Sequence, residues 1–177
     1  MANILFWGDM HGGHENICKY RPEFESEEHM WDTFKENHHK RVTKRDIVFF
    51  MGDTVFSYDR LIDLQSWTAA KKVLILGNHC TEYLSVRQLS GVFDEIHGLV
   101  KYKEFWLSHA PIHHVELRGK MNIHGHVHKG SLDDHRYFNT CPEVNNNRPV
   151  SLMEVRQEFA RRFPPSEFAE NNTSFLL

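Results

Sequence analysis

Five apolar, strand-like runs in this chain each close on a side chain that can donate electrons to a metal. Asn3 to Trp7 leads to Gly8-Asp9-Met10-His11, Asp46 to Met51 to Gly52-Asp53, and Lys72 to Leu76 to Gly77-Asn78-His79. Glu104 to Ser108 ends on His109, and Lys120 to Ile123 runs into His124-Gly125-His126-Val127-His128. In open α/β sheets, ligand sites gather beyond the carboxyl ends of the strands. Any one of these motifs is explained by a turn, since Gly-Asp and Gly-Asn are ordinary turn pairs. All of them together predict several loops converging on one place. Alternation in an extended segment puts His124, His126 and His128 on the same side.

Between the runs lie helical patterns, which predicts a layered α/β fold. A short helix is expected over His14 to Tyr20, stopped by Arg21-Pro22. Ser26 is placed to cap a helix through His39, with Met30, Trp31 and Phe34 as its apolar stripe. Leu61, Leu64 and Ala69 mark a helix covering the second strand. The second half reads as more antiparallel: strands at Phe93 to Val100 and Glu104 to Ser108 form a hairpin, and Tyr137 to Val144 makes a last strand. Ser151-Leu152-Met153-Glu154 is a capping-box pattern opening a helix to about Arg162, which Pro164-Pro165 stops. The chain reads as a single domain over 1–177, with about 164–177 as a C-terminal tail.

The donors narrow the metal. Carboxylates, imidazoles and one carboxamide, without a thiolate cage, suit Mn²⁺, Fe²⁺, Zn²⁺ or Ni²⁺. They are too many for one ion, and a carboxylate can bridge two cations roughly 3.5–4 Å apart, an arrangement suited to phosphoryl hydrolysis. The formal net charge of −3 gives no nucleic-acid footprint. No apolar run approaches the roughly 20 residues of a membrane span and no signal-peptide pattern opens the chain. With Cys18, Cys80 and Cys141 odd in number and widely spaced, a reducing cytoplasm is expected (the host's, for a phage-encoded chain).

In the order Asp-x-His, Gly-Asp, Gly-Asn-His, His, Gly-His-x-His, the chain resembles the calcineurin-like metallophosphoesterase superfamily. Gly13-His14-Glu15-Asn16-Ile17, Arg21-Pro22 and the stretch Val144 to Leu152 are similar to its small bacterial and phage branch. The resemblance covers Ile4 to about Val155 and implies a four-layer α/β/β/α sandwich. It also implies that Asp9, His11, Asp53 and His128 hold one metal, and Asp53, Asn78, His109 and His126 the other, with Asp53 bridging. His79 is then the acid that protonates the leaving oxygen or steadies phosphate, while a metal-bound hydroxide attacks phosphorus in line. The implied activity is a two-metal phosphoesterase, with Mn²⁺ foremost, acting on phosphodiesters such as nucleotides. Phosphomonoester hydrolysis and a non-catalytic metal-binding scaffold on the same fold are the alternatives.

Two positions depart from the family pattern. Cys80 stands where an acidic residue usually follows Gly-Asn-His and orients the histidine, so His79 is expected to be less firmly held. Gly52-Asp53-Thr54-Val55-Phe56 lacks the Asp or Arg found three residues after the bridging aspartate. This speaks against the phosphoprotein phosphatases and the symmetrical dinucleoside-tetraphosphate hydrolases. His14 either reaches phosphate or caps the helix after it. His124 either supports His126 or packs, His113 and His114 read as solvated, and His38 and His39 as favourable charge at a helix end.

Overall fold

In the computed structural model, residues 2–163 are described. The polar tail expected at 164–177 lies outside the described residues. A first sheet has the order β4-β3-β2-β1-β9, made of β1 (Ile4–Trp7), β2 (Ile47–Phe50), β3 (Lys71–Ile75), β4 (Glu95–His97) and β9 (Val150–Ser151). Strands β1 to β4 are parallel, and β9 is antiparallel to β1. A second sheet has the order β5-β6-β7-β8, from β5 (Leu99–Tyr102), β6 (Phe105–Ser108), β7 (Met121–His124) and β8 (Tyr137–Asn139). The result is a sandwich of two mixed sheets with helices, as the sequence implied.

Strand alternation divides the core in two. Leu5 and Trp7, Val48 and Phe50, and Leu74 face the helices, whereas Phe6, Phe49, Val73 and Ile75 face the second sheet. With both faces covered, these strands read as continuous apolar runs. Helix α1 (Glu27–Arg41) is capped by Ser26, whose Oγ accepts the His29 N–H, and it buries Met30, Trp31, Phe34 and His38 on the first sheet. Helix α2 (Tyr58–Gln65) adds Leu61 and Leu64 and stops short of Ala69. Asp63 ties the two helices by accepting from Trp31 Nε1, Trp67 Nε1 and Lys35 Nζ. The short α3 (Cys80–Tyr83) and α4 (Val86–Leu89) follow β3. The capping box at Ser151 and Glu154 opens α5 (Leu152–Arg162), whose Val155 and Phe159 close the seam between the sheets.

Several local expectations are corrected. The run from Phe93 to Val100 is not one strand: it crosses from the first sheet to the second at Gly98, between β4 and β5. Only the β5–β6 hairpin makes the second sheet antiparallel, since β6, β7 and β8 run parallel through long crossovers. The last strand ends at Asn139, because Pro142 begins a 3₁₀ turn, and β9 returns to the first sheet. His14 to Tyr20 holds only a 3₁₀ turn at Ile17–Lys19. His38 is buried in the aromatic core, with Nε2 donating to the Thr68 carbonyl, and carries no charge to the helix end. Burial pushes its imidazole down to about 4 against the effect of that hydrogen bond.

Candidate metal centre

Pairing between β1 and β2 continues past the strands into the loops that follow them. Asp9 N donates to Gly52 O, His11 N to Asp53 O and Gly12 N to Thr54 O, each at 3.0 Å. The register that aligns Trp7 with Phe50 therefore also sets Asp9 and His11 beside Asp53. Across the sandwich, Asp9 Oδ2 accepts the His126 N–H at 2.7 Å, which joins the loop after β7 to the loop after β1. Two glycines permit this closeness: a Cβ on Gly125 would collide with the Asp9 carboxylate, and one on Gly77 with that of Asp53. Asp9, His11, Asp53, His126 and His128 all have positive φ, between 44° and 70°. Such backbone is costly for non-glycine residues and persists where the surroundings over-determine it.

Donor atoms gather in two groups. Asp9, His11 and His128 form one, and Asp9, Asp53 and His109 the other. In the first, Asp9 Oδ1 lies 3.6 Å from His11 Nε2 and 4.0 Å from His128 Nε2. Both ring nitrogens of His11 are buried with no hydrogen-bond partner. In the second, His109 Nδ1 donates to the Met51 carbonyl at 2.9 Å, which turns Nε2 inward. Around that Nε2 stand Asn78 Oδ1 at 3.0 Å, His126 Nδ1 at 3.1 Å and Asp53 Oδ2 at 3.3 Å. The seven residues named as ligands from the sequence are thus brought together.

The two groups share Asp9, whereas the sequence pattern gives the bridge to Asp53. Each carboxylate has one oxygen already engaged. Asp9 Oδ2 also lies 3.2 Å from the Cys141 thiol, and Asp53 Oδ1 accepts the His79 N–H at 3.0 Å. Burial would raise both carboxyls, but the nearby His11 ring and the charge of His109 at Asp9, and the hydrogen bond and charge of His109 at Asp53, bring them below the ordinary range. His109 is raised: burial opposes its charge, and the adjacent Asp53 and Asp9 outweigh it. This cluster is anionic and draws positive charge.

Cys80 and His79 behave differently from expectation. The Cys80 thiol turns inward to accept from Gly77 N at 3.2 Å and Asp53 N at 3.3 Å. Burial pushes it up to about 11, so it stays protonated, unsuited to thiolate ligation or attack. His79 is not left without a carboxylate, because Nδ1 meets Glu82 Oε2 at 2.8 Å, one turn along α3. The family pattern places that acid at the next position, whereas i,i+3 spacing on a helix puts it at Glu82.

Two further residues escaped the sequence reading. Glu143 Oε1 holds His128 Nδ1 at 2.9 Å and pairs with Arg21 Nη2 at 2.8 Å. Arg21 is fully buried and also donates to the Asp9 carbonyl at 2.5 Å and the Met10 carbonyl at 2.9 Å. Burial would raise the Glu143 carboxyl, but the His128 hydrogen bond and the Arg21 charge hold it at about 2. His124 is the reverse case. Strand β7 ends there, the positive φ at His126 turns the chain, and His124 packs near Tyr137 on the far face, with Nδ1 donating to Gly125 O. It does not share a side with His126 and His128. His14 Nδ1 accepts the Asn16 N–H as a local cap, and its ring lies 6.0 Å from that of His11. His113 and His114 are exposed.

Residues 2–170 match the family model of calcineurin-like phosphoesterases. The chain belongs to that family. It is also 32% identical over 164 residues to the uncharacterised protein MJ1445 of Methanocaldococcus jannaschii, an alignment spanning 86% of this chain and 88% of that one. The crystal structure of AQ665 from Aquifex aeolicus, a protein of unknown function, superposes with a TM-score of 0.70 at 24% identity, covering 89% of this chain and 99% of that one. That likeness supports the fold. Among the described residues of this phosphoesterase, no helix is long and apolar enough to cross a membrane.

Proposed function

We propose that this phosphoesterase hydrolyses phosphodiesters with two divalent cations. The observation that carries the metal reading is the crowding around His109 Nε2. With Nδ1 committed to the Met51 carbonyl, His109 turns Nε2 toward Asn78 Oδ1 and Asp53 Oδ2, at 3.0 and 3.3 Å, where a proton or a metal ion has two oxygen partners. The ring nitrogens of His11, buried with no hydrogen-bond partner, leave a second place for a cation. Asp9, His11, Asp53 and His128 would hold one ion, and Asp53, Asn78, His109 and His126 the other. Two cations there, Mn²⁺ first and Fe²⁺, Zn²⁺ or Ni²⁺ by the same donor chemistry, supply Lewis acidity to the phosphoryl oxygens and lower the pKa of a water.

The protein residues do the rest. Asp53 would serve both ions, Glu143 and Met51 O fix the rings of His128 and His109, and His79 Nε2 gives its proton to the leaving oxygen while Glu82 holds Nδ1. The preference for a diester rests on two positions that give phosphate no free guanidinium. Phe56 fills the position three residues after Asp53, its ring 4.8 Å from that of His11 and 5.8 Å from that of His79. Arg21 is spent on Glu143 and two carbonyls. A singly charged diester asks for less compensation than a doubly charged monoester. Free thiols at all three cysteines suit a reducing cytoplasm.

The test is turnover of bis-p-nitrophenyl phosphate against p-nitrophenyl phosphate, with Mn²⁺ and after chelation. Metal-dependent hydrolysis favouring the diester is expected. Preference for the monoester would overturn the diester reading, and metal binding with no turnover of either would make the chain a scaffold.

A further inference from the structure

Beside the metal centre, on the His11 and His128 side, lies an open cavity of about 550 Å³. Its inner wall is His11, His128 and Glu143, so it begins where the first group of donors ends. Its apolar lining comes from Ile17, which is buried, and from Tyr20 and Val127. His14 and Lys129 add a ring and a cation. Tyr20 is 70% exposed, a large apolar surface left in water next to the site. Inorganic phosphate or a methyl ester would leave this space to solvent. Concave, mainly apolar clefts of roughly 300–1,000 Å³ with few polar groups are the usual shape of a small-molecule site.

The geometry points to a binding site for a planar aromatic substituent on the phosphodiester, with Tyr20 as its stacking wall; this rests on the diesterase reading above. A nucleoside and a simple aryl group share that chemistry. The nucleoside's sugar would lie along Ile17 and Val127, and a base would reach Tyr20. An aromatic face accepts any base, because every base has a π-face. A second aromatic surface near the centre, Tyr83 stacked on Phe56 with centroids 5.1 Å apart, lies outside the cavity lining, and Phe56 packs against His79 as well as His11. Tyr83 therefore serves as the control.

The experiment compares three diesters with a common leaving group: thymidine 5′-p-nitrophenyl phosphate, phenyl p-nitrophenyl phosphate and methyl p-nitrophenyl phosphate. In the Mn²⁺-loaded protein, kcat/KM should be higher for the thymidine and phenyl esters than for the methyl ester. Tyr20→Ala should lower the aromatic esters by about 10-fold, the scale of one base–aromatic contact. It should leave the methyl ester unchanged, Tyr20→Phe should restore the preference, and Tyr83→Ala should not alter it. A phenyl ester equal to the thymidine ester identifies an aryl site, and a thymidine preference a nucleoside site. Equal rates for all three in the wild type, or an equal loss for all three in Tyr20→Ala, would overturn the pocket assignment while leaving the diesterase reading standing. Calorimetric binding of 5′-AMP against inorganic phosphate separates the two claims from the other direction. A Tyr20-dependent preference for AMP in a protein that turns over no diester keeps the pocket and removes the diesterase.

Discussion

Replacing Arg21 with methionine keeps most of the stem volume and removes the buried cation. The carboxylate of Glu143, with only 4% of its side chain exposed, then faces His128 alone, and the carbonyls of Asp9 and Met10 lose their donor. Breaking a buried pair by removing one partner costs about 3–5 kcal/mol. Glu143 is held at about 2 against an ordinary 4.5, a net shift of about 3 kcal/mol at 1.36 kcal/mol per unit, left after the cost of burial and shared among the His128 hydrogen bond, the Arg21 charge and a backbone N–H. Arg21→Met should therefore lower metal-free stability by about 4 kcal/mol, or roughly 8–16 °C in Tm for a chain of this size. Because Arg21 also fixes the Asp9 backbone, Mn²⁺ affinity should fall about 10–100-fold. Chemical denaturation in chelator gives the first quantity and calorimetric titration the second. Adding Glu143→Gln removes the stranded charge, so the double variant should recover at least about 1 kcal/mol relative to the sum of the single variants. Strict additivity, or a single variant within about 1 kcal/mol of wild type, would refute the idea that this pair organises the site.

Other outcomes follow from the same geometry. His38 binds its proton near 4 when folded and near 6.5 when unfolded, so the unfolded chain holds more protons between those values. Stability should fall as pH drops from about 6.5 to about 4, by about 3 kcal/mol in all from this residue. The His38→Leu variant should lack that slope, whereas parallel wild-type and variant curves from pH 7 to pH 4 would contradict the assignment. His79→Ala should keep both metals by elemental analysis and lose about 10²–10⁴-fold in turnover of alkyl diesters, with a smaller loss for nitrophenyl esters. Glu82→Gln should show the same leaving-group dependence at smaller amplitude, and equal losses for both ester types would limit these residues to holding phosphate. Cys80→Asp would set a second carboxylate beside Asp53, whose Oδ1 is 3.7 Å from the present thiol, and should lower stability in chelator. Unchanged stability would mean that the new side chain turns away.

The site was more legible in the sequence than the fold was in detail. Strand-ending motifs announced where donors gather, because parallel strands in register deliver their following loops to one edge. The partners of those donors were hidden. Glu143 and Arg21 lie 122 positions apart and meet only through the fold. Glu82 is marked only by its i,i+3 spacing from His79, a signal that the family pattern at position 80 does not carry. The second sheet misled for a different reason: apolar runs give strand content but not direction, and the crossovers at 109–120 and 125–136 carry few helical signals. Gly98, which divides β4 from β5, has open space around it and no turn partner to mark it. His124 shows the limit of alternation, since the strand stops at that residue.

Metal stoichiometry tests the central claim most directly. Equilibrium dialysis against Mn²⁺, followed by elemental analysis, should give two ions per chain for the wild type, one for His11→Ala, and weak binding at both sites for Asp53→Ala. Asp9→Asn, run alongside, shows whether the bridge lies at Asp53 or at the carboxylate common to both donor groups: loss of one ion leaves it at Asp53, and loss of both moves it to Asp9. A wild type that saturates at a single ion, or an Asp53→Ala variant that retains two, would contradict the two-metal account.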